Sequence, residues 1–362
     1  MFTMANMTIR GVAAAATLAL MASAASAQVI DLDGKTVTVV HNASPGGATG
    51  LGAQIAADAW AKTMAGNPTM VVQSVAGGAL AKGINHVMSA RPDGLTVGWV
   101  AWQGSTRILD PEPLQIPFQD FGLIGGVGGA NFFLHASTAI GDGIKTREDF
   151  AEIDSMTFGG FSAKSGPSMQ TAAALDLLGI EWSFASGFAG DGPLSAALAR
   201  GELDGYPATG VVYNNQLRDG SIAEGKSLGV FHFGLLDDDG NMVADPVLAE
   251  IPIFPDYYEA IKGEAPSGEL WDMINFHANV SAPVNWLVVA PPGTPDEHLA
   301  MLRETFVEAM TSPEFLENAE RVFGGPPNVV FADEVTDIVN EVQNTPEDMR
   351  EKLRAMIDRM DG

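Results

Sequence analysis

The 362 residues include 41 Gly, 21 Pro and no Cys, with 46% hydrophobic and 18% charged residues. This is the composition of a folded globular chain, not a disordered or fibrous one, and the length suits about two domains. Without Cys there are no disulfides, thiolate metal sites or cysteine nucleophiles. With 19 basic against 45 acidic residues, a formal charge of −26, the surface repels nucleic acid and anionic membranes.

Residues 1–27 form an export signal. Arg10 precedes an apolar run over 11–21, and small residues end in Ala25-Ser26-Ala27, an A-x-A cleavage pattern. The run is too short to span a bilayer. The mature chain then begins at Gln28 and is periplasmic. No later stretch is apolar over the 18 residues a span needs.

Along the mature chain, residues 35–40 (KTVTVV) alternate and are rich in β-branched side chains, so they predict a strand. A Gly-rich turn, 41–47, follows it. Leu51, Ile55 and Ala59 then fall on one face of a helix over 51–64. Residues 70–75 predict a second strand, 80–90 a helix closed by the turn Arg91-Pro92-Asp93-Gly94, and 95–101 a third strand. Short apolar runs lie at 121–127 and 131–135. Strands at 156–158 and 182–184 each run into a small-residue loop, 159–166 and 187–192. Each loop opens a helix with Pro in its first turn, ending at 178 and 199. Residues 227–233 and 285–290 predict further strands. Residues 237–241 form a turn, and helices cover 295–310, 313–323 and 345–360. This alternation predicts βαβ units, a parallel sheet and two α/β lobes. Their Gly-rich loops face a cleft, where open α/β sheets bind ligands.

Several motifs occur in order. They are VTVVHNASPGGATG at 37–50, Arg91-Pro92-Asp93-Gly94-Leu95-Thr96, the loop and helix start over 158–168, and Phe188-Ala189-Gly190-Asp191-Gly192-Pro193. Downstream lie Arg200-Gly201-Glu202-Leu203-Asp204, Glu224-Gly225-Lys226 and the segment 286–295, WLVVAPPGTP. Together they resemble the substrate-binding proteins of tripartite tricarboxylate transporters, the Bug family, over nearly all of the mature chain. The chain departs from the family pattern at Gly50, where the loop has Asp, at Met169, where many members have His, and in the loop 159–166, which contains Lys164. The resemblance implies a type II periplasmic binding fold: two α/β lobes joined by a hinge, with the ligand cleft between them. It implies one lobe from 28–127, a second from 128–232, and a return to the first over 233–362 with C-terminal helices. It also implies a monomer that captures a small organic carboxylate, hands it to membrane permease subunits, and needs no cofactor.

A carboxylate can be held by unpaired backbone N–H groups at helix starts, helped by the helix dipole. Residues 44–49 in one lobe and 165–168 in the other offer this. Gly46 and Gly47 allow close approach. Ser44, Thr49, Ser162, Ser165 and Ser168 add hydroxyl donors, and each serves equally as a helix cap. Trp102 or Gln103, past the third strand, lines the cleft or packs in the core. Strand alternation puts Trp99 and Ala101 on one face and Val100 and Trp102 on the other. Phe188, at the family's Tyr, offers an apolar wall, and Thr209 matches a polar family position. Lys164 pairs a ligand carboxylate or sits in solvent; Arg107 is a weaker candidate, and His41 is either a donor or a buried polar group.

Other functions have less support. The chain lacks a G-x-S-x-G elbow, an H-E-x-x-H metal motif and a local triad, so a secreted hydrolase is the lesser alternative. Residues 125–129 (GGVGG) do not complete a dinucleotide fingerprint. Asp237 to Asn241 lacks the Glu a calcium loop places at its twelfth position, which here is Leu248. A clamp that docks on a receptor kinase would use the same cleft and stays open as an alternative to transport.

Overall fold

A computed structural model describes residues 30–102, 114–115, 117–129, 131–237, 241–281 and 283–362. The expected export signal, Gln103, Arg107 and the centre of the 237–241 turn lie outside the described residues.

Two sheets organise the chain. The first has six strands in the order β13-β4-β12-β3-β1-β2: β1 (Thr36–His41), β2 (Thr69–Ser74), β3 (Thr96–Ala101), β4 (Gly122–Gly128), β12 (Trp286–Ala290) and β13 (Asn328–Phe331). The second has five in the order β7-β6-β8-β5-β9: β5 (Phe132–Ser137), β6 (Ser155–Gly159), β7 (Glu181–Ala185), β8 (Gly205–Thr209) and β9 (Ser227–His232). A short hairpin, β10 (Leu235–Leu236) with β11 (Met242–Val243), follows them.

The sheets are mixed, where alternation alone predicted parallel ones. β1 runs parallel to β2 and β3, but β12 lies antiparallel to β3 and β4, and β13 antiparallel to β4. The reason is the route of the chain. It leaves the first sheet after β4, builds the second, and comes back to insert β12 between β3 and β4 from the opposite end.

Helices cover both faces of the first sheet. On one lie α1 (Ala48–Trp60), α7 (Asp296–Met310) and α8 (Pro313–Phe323); on the other lie α2 (Ala81–Met88) and α9 (Ala332–Gln343). The Val335, Val339, Val342 spacing of α9 is a helical apolar face that the reading above omitted. The expected alternation in β3 is observed: Trp99 and Ala101 join the α1 side, Val100 and Trp102 the α2 side.

The second sheet packs α3 (Gly166–Leu178), α5 (Phe254–Lys262), α6 (Glu269–Ser281) and α10 (Glu347–Asp361) into one core, while α4 (Asp191–Ala199) lies against β8 and joins an apolar cluster that both lobes share. Residues 233–362 therefore do not return to the first lobe as one block. α5, α6 and α10 stay with the second because their apolar faces (Phe254, Tyr257, Ile274, Leu353, Ile357) bury against it. The chain crosses between lobes after β4, between α6 and β12, and between α9 and α10.

The GGVGG run lies within and just past β4. A Cβ on Gly125 would strike the Phe306 ring of α7, and one on Gly126 would come 2.7 Å from Val284. The glycines let helix and strand pack closely.

Asn42 ties the edge of the site together. It is fully buried, its Nδ2 donates to Leu80 O (3.3 Å) and Ala101 O (2.9 Å), and its Oδ1 accepts from Ala101 N (2.9 Å). Asn42→Ala strands buried backbone groups of Ala101, each costing about 1–3 kcal/mol. A loss of about 2–4 kcal/mol in urea unfolding is the expected outcome, with the slope m unchanged.

Candidate functional site

The loop after β1 meets the loop after β7 across the lobe boundary. Ser44 N donates to Ala189 O (2.8 Å), and Gln216 Nε2 donates to Gly46 O (3.3 Å). Gly190 has no room for a Cβ, which would strike Ser44 Oγ. Gly47 caps α1 without a side chain, and a Cβ there would come 2.9 Å from Asp191 Oδ2. The first turn of α1 carries no acidic residue of its own. A carboxylate from the opposite lobe stands there instead.

Asp191 opens α4 and is only 7% exposed. The backbone N–H groups of Ala48 and of Asp191 itself bond its carboxylate, yet burial dominates and pushes its pKa up from 3.8 to about 6. Its Oδ1 is buried without a hydrogen-bond partner. These amides are the orphan donors every helix start presents, at the positive end of its dipole.

Beside this contact lies a cavity of about 40 Å³. The first lobe lines it with Ala43, Ala48, Thr49, Leu80, Ala101, Trp102 and the β12 approach, Val284 to Trp286. The second lines it with Phe132, Phe161, Pro167, Asp191 and Thr209. The opening turns of α1, α3 and α4 thus meet at one partly open, mostly apolar space. Among the described residues its only ionisable wall group is Asp191.

Of the candidate site residues named above, Thr49, Trp102 and Thr209 line the cavity. Thr49 Oγ1 accepts from Trp286 Nε1 (3.0 Å), and Trp286 stacks on Trp99 at 5.9 Å. Trp102 is both wall and core: its Nε1 donates to Val284 O (2.8 Å), and its ring meets Phe118 edge-on. Thr209 Oγ1 accepts from Val212 N (3.2 Å) as a helix cap.

Ser44, Gly46 and Gly47 form the lobe contact. Ser162 Oγ accepts from Lys164 N (3.1 Å), shaping the loop before α3. Ser165 precedes α3 and makes no side-chain cap. Ser168 is buried against Gly160, its Oγ without a partner. Lys164 and Phe188 are half-buried and do not line the cavity. Phe188 packs on the shared core instead. Gln103 lies outside the described residues.

The departures have physical counterparts. His41 is buried beside Gly50, where a Cβ would come 3.3 Å from its ring, and burial lowers its pKa. Met169 places its sulfur 3.1 Å from His277 Nε2, and burial lowers His277 to about 3.

Asp191 was missed as a site residue. An acid in a helix's first turn reads as compensation for its own dipole. Nothing local reveals that it reaches α1. Trp286 was read only as a buried strand residue.

No protein-family model matches the chain, and no curated protein matches it by sequence. Among solved structures it is similar to the periplasmic binding protein BugD, at 16% identity over 89% of this chain and 97% of that one, with a TM-score of 0.64. MatC from Rhodopseudomonas palustris with bound malate is 18% identical over 90% of this chain and 97% of its own, TM-score 0.57. Rpa4515 from R. palustris with adipate is 16% identical over 90% and 95%, TM-score 0.61. At these identities the likeness shows the fold. The chain has the type II periplasmic binding fold, two α/β lobes with a cleft between them.

The Asp191 environment has a pH signature. Its folded pKa lies above its unfolded one, so its contribution is stabilising below about pH 4 and is lost as pH rises through about 6. The gap corresponds to about 3 kcal/mol at most. Thermal unfolding of wild type and Asp191→Asn from pH 4 to 7 should therefore diverge, with wild type losing stability relative to the variant as pH rises. Parallel curves would contradict this.

Proposed function

We propose that this protein is a periplasmic solute-binding protein of the Bug family, serving a tripartite tricarboxylate-type permease. It captures a small organic carboxylate and delivers it to the permease subunits. The observation that carries this reading is the convergence of three helix starts, one from the first lobe and two from the second, on one cavity at the lobe junction. Helix starts supply donors without adding basic side chains, which suits a chain with few cations, although the Ala48 and Asp191 amides already serve the Asp191 carboxylate. Malate bound to MatC and adipate bound to Rpa4515 support the ligand class.

Capture requires the lobes to part. A water needs roughly 10–15 Å³ of such space, so a cavity of about 40 Å³ holds a few waters and no six-carbon acid. The three crossings between lobes serve as the hinge. Ligand contacts made by both lobes at once favour the closed form. The surface created by closure is then what the permease recognises. The protein works as a monomer, without a cofactor and without catalysing a reaction. Thr49 and Thr209 face the cargo, Trp102 forms the apolar wall, and Ser44, Gly46 and Gly47 join the lobes. The loop and helix start carrying Ser162, Lys164, Ser165 and Ser168 support the second lobe's edge, with Phe188 packed behind them. Gln103 directly follows Trp102.

A thermal-shift panel of dicarboxylic, tricarboxylic, aromatic and amino acids tests the ligand class. A ligand at 100 times its Kd adds about 2.7 kcal/mol, a rise of several degrees at this size. Absence of a shift with every carboxylate would overturn the reading. Export is checked separately: the intact mass of protein from the periplasmic fraction should begin at Gln28.

A further inference from the structure

The cavity holds an unbalanced charge. Asp191 lies on its wall, nine-tenths buried, its carboxylate bonded by the Ala48 amide of α1 and by its own amide, with Oδ1 unpartnered. A buried carboxylate oxygen without a donor costs more than a neutral one. The wall hydroxyls do not serve it: Thr49 takes the Trp286 indole proton, Thr209 caps the turn at Val212, and neither reaches Oδ1. No Lys, Arg or His lines the cavity among the described residues.

Gly47 and Gly190 make the arrangement possible. Each leaves room for the opposite lobe where a Cβ would collide, the first with Asp191 and the second with Ser44. The position at α1's start that a cargo carboxylate would claim is already taken by the protein's own carboxylate. A second anion brought into this space meets like charge at short range and low dielectric. A cation or strong donor meets the reverse.

We infer that Asp191 is a specificity-determining residue, its Oδ1 pairing with a protonated amine on the cargo, so that a cargo with an amine at that end is preferred over one with a carboxylate there. The inference rests on the carboxylate-capture reading for the cargo's other end only. That end lies toward the Thr49 and Thr209 hydroxyls on the wall, each of which accepts one hydrogen bond and also has an O–H to donate.

Titration calorimetry of the exported protein at pH 7.5 with chain-matched probes tests it. The probes are succinate and adipate, 4-aminobutanoate and 6-aminohexanoate, butanoate and hexanoate, and butylamine and hexylamine. At one chain length or both, the amino acid should bind at least tenfold more tightly than the matching dicarboxylate. In Asp191→Asn, which keeps the shape and removes the charge, that ratio should collapse toward one or invert. The wild-type ratio needs no variant, so a folding defect in Asp191→Asn leaves the test intact. Binding of the plain amines without the amino acids would uphold the role of Asp191 and sink carboxylate capture. Equal or tighter binding of the dicarboxylates by wild type, or failure of every amine-bearing probe to bind, would overturn the inference while leaving carboxylate capture to stand on the acids alone.

Discussion

A carboxylate taken out of water must find donors, and in this molecule Asp191 finds them in the other lobe. The amides at the start of α1 have no partner within their own helix. Their dipole favours an anion, and the first turn of α1 offers none. Asp191 supplies one from α4, so a requirement of each lobe is met by the other. The result is a junction in which these polar contacts lie beside an apolar cluster that both lobes share.

The rigid side of the junction is built from the first sheet. Trp99 and Trp286 stack on adjacent antiparallel strands, and the Trp286 indole fixes the Thr49 hydroxyl in α1. Asn42 locks the end of β1 to the end of β3 and to the residue before α2. The cavity walls of the first lobe are therefore anchored to the sheet rather than to mobile loops. Burial of the two indoles and Phe323, stacked in turn on Trp286, makes the wall costly to deform.

The second lobe is anchored differently. Its core is a cluster of Phe and Tyr rings from β9 and α5, joined by Met and Ile from α10. The C-terminal helix is thus wedded to the lobe that the middle of the chain builds. A crossing after α9 follows from that, and with it a third strand of chain between lobes.

Much of this was legible in the residues. β-branched alternation marked β1 and β3, the Pro and Gly punctuation marked the loops before α3 and α4, and the order of motifs pointed to a two-lobed clamp. Those are local signals, set by backbone propensity and side-chain period. The antiparallel placement of β12, the allegiance of α10 and the meeting of Asp191 with α1 were not legible. Each depends on which distant segment arrives beside it, and a residue carries no local mark of a partner more than a hundred positions away. The sequence by itself determined where strands, helices and Gly-rich loops form. Only the tertiary structure decided that one of those loops would deliver a charge to the helix start across the cleft, because desolvation and charge compensation act through space and not along the chain.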